Sequence, residues 1–438
     1  MLFKKYLSAG VLACLVLPVW AAPPPEYPQR PLSTLTISAD TAHFSDPSLQ
    51  AFIQQVWRDS PIMLGAQAAV EAARARVAGA DRPLYNPSLE LEAERTDVNT
   101  ASIGFRQTLD WGDKRAAQTG IALSAVRSAE AELREYRQQV AVEALEALAQ
   151  YFTAREMQML AVRRSQLMKG FVDAVQQRQA AGDMGALEGT LAHVTYSEAL
   201  MKQAARESEL AEAEAALQAV SGSGRVDWPS LPTRLAAPPQ QVDPALLQSL
   251  PALVVLRSRM EAAKSRIGLA ERQGRADPTI GVRAGREGSE TLLGLSLEIP
   301  LFVRNNFKAE VRAASYDAVV EELAYRDAHR RAKARLAGSL GRFKNTSRAW
   351  RAWVATGQQA HREQMSLLEQ LWQAEELTAT DYLIQAKQNI NTQTAATVLV
   401  GEVWRAAIGW LDASAQVEAW LGFTPAQTEN SGDKTDEK

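Results

Sequence analysis

The feature that most constrains this chain is a β-hairpin of membrane-crossing length that occurs twice in an otherwise helical sequence. In the second copy, Ile280, Val282 and Ala284 alternate with Thr279, Gly281, Arg283 and Gly285. After Gly288-Ser289-Glu290, Leu293, Leu295, Leu297 and Ile299 alternate with Gly294, Ser296 and Glu298. Period two on both arms of a short turn specifies a hairpin. Each arm runs about 9–10 residues, the length a tilted strand needs to cross a bilayer. In the first copy, Leu89, Leu91 and Ala93 oppose Glu90, Glu92 and Glu94, while Ile103, Phe105 and Leu109 oppose Ser102, Gly104, Arg106 and Thr108.

The flanks repeat as well. Each hairpin follows an X-Pro pair that stops a helix, Asn86-Pro87 and Asp277-Pro278. Upstream, Glu71-Ala72-Ala73-Arg74-Ala75-Arg76-Val77 answers Glu261-Ala262-Ala263-Lys264-Ser265-Arg266-Ile267. A period of about 190 residues is far too long for a solenoid and marks a duplicated half. The expected organisation is a leader over 1–21, a Pro-rich linker over 22–45 and a first repeat over 46–221 with its hairpin at 88–110. A connector over 222–250, a second repeat over 251–422 with its hairpin at 279–300, and a disordered polar tail over 423–438 complete it.

Downstream of each hairpin the pattern becomes helical and very long. Val126, Leu133, Val140 and Ala147 fall seven apart, and neither Pro nor Gly interrupts Ile121–Lys169. A helix from Lys114 to Ala180 would reach on the order of 100 Å at 1.5 Å per residue. Gly182–Gly185 reverses the chain, and Leu210, Ala213, Leu217 and Val220 return in heptad spacing. The second half repeats this plan, with a long helix over about 306–374, a reversal at Glu375–Thr380 and a return to Trp420.

Composition narrows the function. With 48 basic and 51 acidic residues there is no basic footprint for nucleic acid. The one cysteine, Cys14, lies in the leader, so thiolate metal sites and disulfides are excluded from the mature chain. His43, His193, His329 and His361 lack ligand spacing, and no phosphate loop, nucleophile elbow or HExxH motif occurs; neither an enzyme nor a cofactor is expected. Lys4 and Lys5 precede the apolar run Leu7–Trp20, which ends at Val19-Trp20-Ala21 and is followed by prolines, the pattern of a cleaved export signal. No later run of 18 apolar residues supplies a spanning helix.

Four membrane-length strands per chain cannot stand alone, because open sheet edges are not tolerated in hydrocarbon. Two chains would close about eight strands and three about twelve, the latter leaving room for a lumen. Glu90, Glu92, Glu94, Arg106, Arg283 and Glu298 are the expected water-facing positions, opposite a lipid-facing Leu, Ile and Val surface. The long paired helices would extend such a barrel into a periplasmic conduit. A periplasmic coiled-coil adaptor or structural protein would share the leader and helices, but its strands should form a soluble domain rather than duplicated hairpins.

Over roughly Phe52–Gly422 the chain resembles the TolC-like outer-membrane factors of tripartite efflux and type I secretion systems. The resemblance rests on the duplicated plan, on Asn86-Pro87-Ser88-Leu89 and Asp277-Pro278-Thr279-Ile280, and on Ile299-Pro300-Leu301-Phe302. Gln107–Arg115 is most similar to the heavy-metal branch, which serves cation pumps of the resistance–nodulation–division type; drug efflux and type I secretion are the alternatives within the family. The resemblance implies a mainly α chain whose coiled-coil helices form an α-barrel, with four strands per chain in a 12-stranded β-barrel. It also implies a homotrimer in outer-membrane lipid, docked to a periplasmic adaptor and through it to the inner-membrane pump. Adaptor docking would fall on Gly182, Asp183 and Met184 and on Glu375, Glu376, Leu377 and Thr378, with Glu188 and Asp381 at the aperture; Glu375 stands where the family usually has Gly. The exported chain is expected to begin at Ala22, which N-terminal sequencing of the membrane-extracted protein checks. A lipid-modified Cys14 at the amino terminus would show processing at the cysteine instead.

Overall fold

The computed structural model describes residues 35–38, 46–95, 97–222, 227–374 and 376–423. The leader, most of the linker, Glu375 and nearly all of the polar tail lie outside them. Helix α1 (Pro47–Asp59) begins where Asp46 accepts the backbone N–H groups of Ser48 and Leu49, and it ends before Pro61. Helix α2 (Pro61–Ala80) leads to β2 (Ser88–Arg95) and β3 (Asn99–Thr108), a short β1 (Thr36–Ser38) having preceded α1. Helix α3 (Lys114–Ala181, 68 residues) then turns into α4 (Ala186–Ser221).

The second half follows the same course. After β4 (Arg234–Ala236) and the single turn α5 (Leu246–Ser249) come α6 (Pro251–Gln273), β5 (Thr279–Glu287) and β6 (Glu290–Glu298). Helices α7 (Lys308–Ala352), α8 (Gln358–Gln373), α9 (Ala379–Ala413) and α10 (Val417–Trp420) finish the described chain. Both long helices start from a left-handed, non-glycine residue, Asp113 (φ 56°) and Phe307 (φ 55°). Such backbone is costly for an L-residue. Its recurrence at equivalent points shows that the duplication extends to the turn from sheet to helix.

Three features depart from the sequence expectation. The connector and linker contribute β4 and β1, which pair in parallel through Ile37 and Leu235. The long second-half helix contains a π segment, Trp353–Gly357, whose wider turn bonds Gln358 N–H to Trp353 O. The returning helix stops at Ala413 rather than Trp420, because Ala415 (φ 53°) turns the chain before α10.

Two apolar cores hold the helices. The larger, at mid-length, packs Phe52 and Ile53 of α1 with Leu145 and Leu148 of α3, Leu336 and Trp350 of α7, and Trp404 and Ile408 of α9. Trp350 donates its indole N–H to Leu35 O (2.9 Å), pinning β1 to α7. The second-half tryptophans thus serve packing; Trp350 and Trp404 are each 1% exposed. The smaller core, at the far end of the helices, joins Met168, Phe171 and Val175 of α3 to Ala192 of α4, Leu368 of α8 and Tyr382 of α9. Leu148 is fully buried in the larger core. Leu148→Ala should cost about 2–5 kcal/mol, read as a lowered thermal unfolding midpoint.

Candidate functional site

The four longer strands form one antiparallel sheet in the order β2-β3-β5-β6, so the two hairpins meet along β3 and β5. The register sorts the side chains onto two faces. The row Leu89–Phe105–Val282–Leu295 and the row Leu91–Ile103–Ala284–Leu293 share the apolar face. That face is bare in the single chain: Leu293 is 80% and Leu295 87% exposed. The two outer strands, β2 and β6, each pair on one side only.

All six charged positions singled out from the sequence fall on the opposite face, which the register also gives Glu287 and Glu290. Arg106 lies between Glu90, with which it pairs, and Glu298 (3.6 Å). Arg283 reaches Glu92 (3.5 Å), which also accepts from the Ser102 hydroxyl (3.3 Å). Glu94 stands opposite Thr100, apart from either arginine pairing. Glycines make these crossings possible. A Cβ on Gly281 would come within 2.8 Å of Arg106 Cγ, and one on Gly294 within 3.0 Å of Arg283 Cγ, so each arginine stem lies over a glycine.

At the base of the sheet, Asp277 is 5% exposed and gathers both repeats. Its carboxylate accepts the Tyr85 hydroxyl (2.6 Å), the Lys114 ammonium (2.8 Å) and the Gly112 N–H (3.2 Å). Burial would raise the pKa of Asp277, but the bonds from Lys114, Tyr85 and Gly112 outweigh it and hold the group below its usual range. Tyr85 is pushed up to about 12, first by its bond to Asp277 and then by burial. The sequence marks this place only through Asp277-Pro278; the three-way node joins residues too distant in sequence for a local pattern.

At the helical tips, Gly182 (φ 88°) ends α3 in a Schellman arrangement, with Asp183 N–H bonded to Arg178 O (2.9 Å). Met184 and Leu377 pack on the smaller core, while Asp183 and Glu376 are exposed. Glu188 folds its carboxylate back over Gly185 at the start of α4. Asp381 engages the start of α9: the Thr378 hydroxyl donates to its carboxylate (2.6 Å) and accepts its backbone N–H (3.1 Å). Glu375 lies outside the described residues. The two tips are joined by aromatic rings that sequence reasoning missed, with Trp372 stacked on Tyr382 at 4.7 Å and Phe171 5.8 Å from Tyr382.

A second missed group sits above the tips. Glu198 of α4 binds Lys202 (2.8 Å), Lys387 of α9 (3.1 Å) and the nearly buried Arg164 of α3 (3.3 Å). Hydrogen bonds from Lys202 and Lys387 lower its pKa from 4.5 to about 2. Among the described residues no three or more His, Cys, Asp or Glu side chains gather where they could hold a metal ion. No described helix is long and apolar enough to cross a membrane.

A bare-faced sheet borne on helices of this length is a fold this chain shares with solved outer-membrane channels. Residues 52–223 match the family model described as "Outer membrane efflux protein". The chain is 24% identical over 245 residues to the cobalt-zinc-cadmium resistance protein CzcC of Cupriavidus metallidurans, a match covering 53% of this chain and 59% of that relative. The outer-membrane channel OprN shares the fold at TM-score 0.73 and 16% identity, over 88% of this chain and 96% of that one. CusC does so at 0.69 and 16%, over 89% and 96%. The Campylobacter jejuni CmeC outer membrane channel does so at 0.70 and 12%, over 90% and 93%.

Because the folded-state pKa of Glu198 is depressed, its contribution is full above the ordinary value of 4.5 and is lost as pH falls toward about 2. Glu198→Gln should therefore lower the hydrogen-exchange protection of α4 and α9 near the tips at neutral pH and remove its decline across that acid window.

Proposed function

We propose that this protein is the outer-membrane channel of a tripartite efflux system, passively conducting substrate from a periplasmic adaptor and an inner-membrane pump to the exterior. The observation that carries this reading is the four-stranded sheet, apolar and exposed on one face, charged on the other, and unpaired at both edges. A backbone edge cannot remain open in hydrocarbon. Pairing β6 of one chain with β2 of the next closes the sheet, and three copies give a twelve-stranded barrel with its polar face around the lumen. Glu90, Glu92, Glu94, Arg106, Arg283 and Glu298 then line the conduit.

The helices continue the duct through the periplasm, with residues 46–221 and 251–422 as its two repeated units and 1–21 as the export leader. At the far end Gly182, Asp183, Met184, Glu375, Glu376, Leu377 and Thr378 offer the docking surface for the adaptor, and Glu188 and Asp381 border the aperture. Heavy-metal cations are the favoured cargo. The relation to a cobalt-zinc-cadmium resistance protein supports this, as does a lumen face on which glutamates outnumber arginines.

Planar-bilayer recording with the purified chain tests the proposal. Discrete channels are expected, with the double variant Arg106→Gln/Arg283→Gln shifting the reversal potential toward stronger cation selectivity. Recovery of the protein only from the soluble periplasm, or a complete absence of channels, would sink it.

A further inference from the structure

Below the sheet the apolar parity does not stop where the strands end. Trp111 and, after β6, Leu301 and Val303 continue the alternation of the apolar face, and they are 75%, 78% and 86% exposed. Basic side chains lie beside them. Gly112, next to Trp111, lies against Arg275, whose Cβ is 3.5 Å from the position a Cβ on Gly112 would take. Gly274 in turn lies against Asn306 and Phe307, which brings the end of α6 against the segment that opens α7, the segment that carries Arg304 and Lys308 in its sequence. Arg275, Arg304 and Lys308 are all exposed.

The nearby acids are mostly engaged. Asp110 caps α3 through the Lys114 and Arg115 N–H groups (2.8 and 2.9 Å). Asp113 pairs with Arg272 (3.2 Å), and Asp277 is held by Lys114 and Tyr85. Among the described residues Arg275, Arg304 and Lys308 make no ion pair, and the remaining local acids are Glu271 and Glu310. The collar therefore carries excess positive charge directly beneath exposed apolar side chains.

We infer that this collar binds the anionic headgroups of phospholipids in the periplasmic leaflet, with Trp111, Leu301 and Val303 at the acyl boundary and Arg275, Arg304 and Lys308 on the phosphates. The inference rests on the membrane-channel reading. A membrane is favoured over a soluble acidic partner because the collar is continuous with the apolar sheet face, and basic residues near an anionic surface are attracted to it.

The test reconstitutes the full chain in vesicles of equal phosphatidylglycerol and phosphatidylcholine, extracts it in detergent and counts retained lipids by native mass spectrometry. The wild type is expected to keep phosphatidylglycerol preferentially. Arg275→Gln/Arg304→Gln/Lys308→Gln should weaken that preference by roughly five-fold per charge removed, while its single-channel conductance is unchanged. Equal retention of both lipids by a conducting wild type, or an undiminished preference in the conducting variant, overturns the collar but leaves the channel reading intact. An acidic periplasmic protein that displaces the lipid would reassign the collar to a protein partner. A chain that never enters the bilayer takes down both readings.

Discussion

A β-strand edge in hydrocarbon has nowhere to place its N–H and C=O groups, and the proposed channel reading of this protein turns on that constraint. One chain builds a four-stranded sheet and leaves β2 and β6 half-paired. Its apolar face cannot be buried internally, because the helices pack on one another at mid-length and at the tips. On the proposed channel reading, the sheet takes neighbours along both edges and lipid across one face.

Duplication is the means by which a single chain presents two hairpins in one register. The β3–β5 pairing joins the repeats, and the Asp277 node fixes them where sheet becomes helix. That node is buried and ionic. A buried ion pair contributes little net stability over an apolar replacement, yet removing one partner is costly. Its location indicates a geometric role: Tyr85 precedes β2, Lys114 opens α3 and Asp277 precedes β5, so one carboxylate sets the relative positions of three segments. Glu198 repeats this logic near the tips, where one carboxylate ties α3, α4 and α9.

Much of the architecture was legible because its signals are local. Alternation at Leu89–Glu94 and Leu293–Glu298 gives strands, the prolines at 61 and 251 start helices, and Gly182 ends one. The six charged strand positions share a face for the same reason, since parity along each arm is set by the pleat. The cross-strand pairings were not legible. Tyr85 and Asp277 are 192 residues apart, and Trp350 and the Leu35 carbonyl 315. Short strands such as β1 and β4 are invisible for a related reason, since three residues have no period and exist only through each other.

The sequence by itself determined the duplication, the two-faced hairpins and the extreme helix length, because each follows from periodicity and chain-breaking residues within a few turns of themselves. Only the tertiary structure decided which charges meet across the sheet, that one carboxylate gathers both repeats at its base, and that aromatic rings rather than tip acids join the two helical ends. Those outcomes depend on how distant segments are brought alongside one another, and no local window of residues contains that geometry.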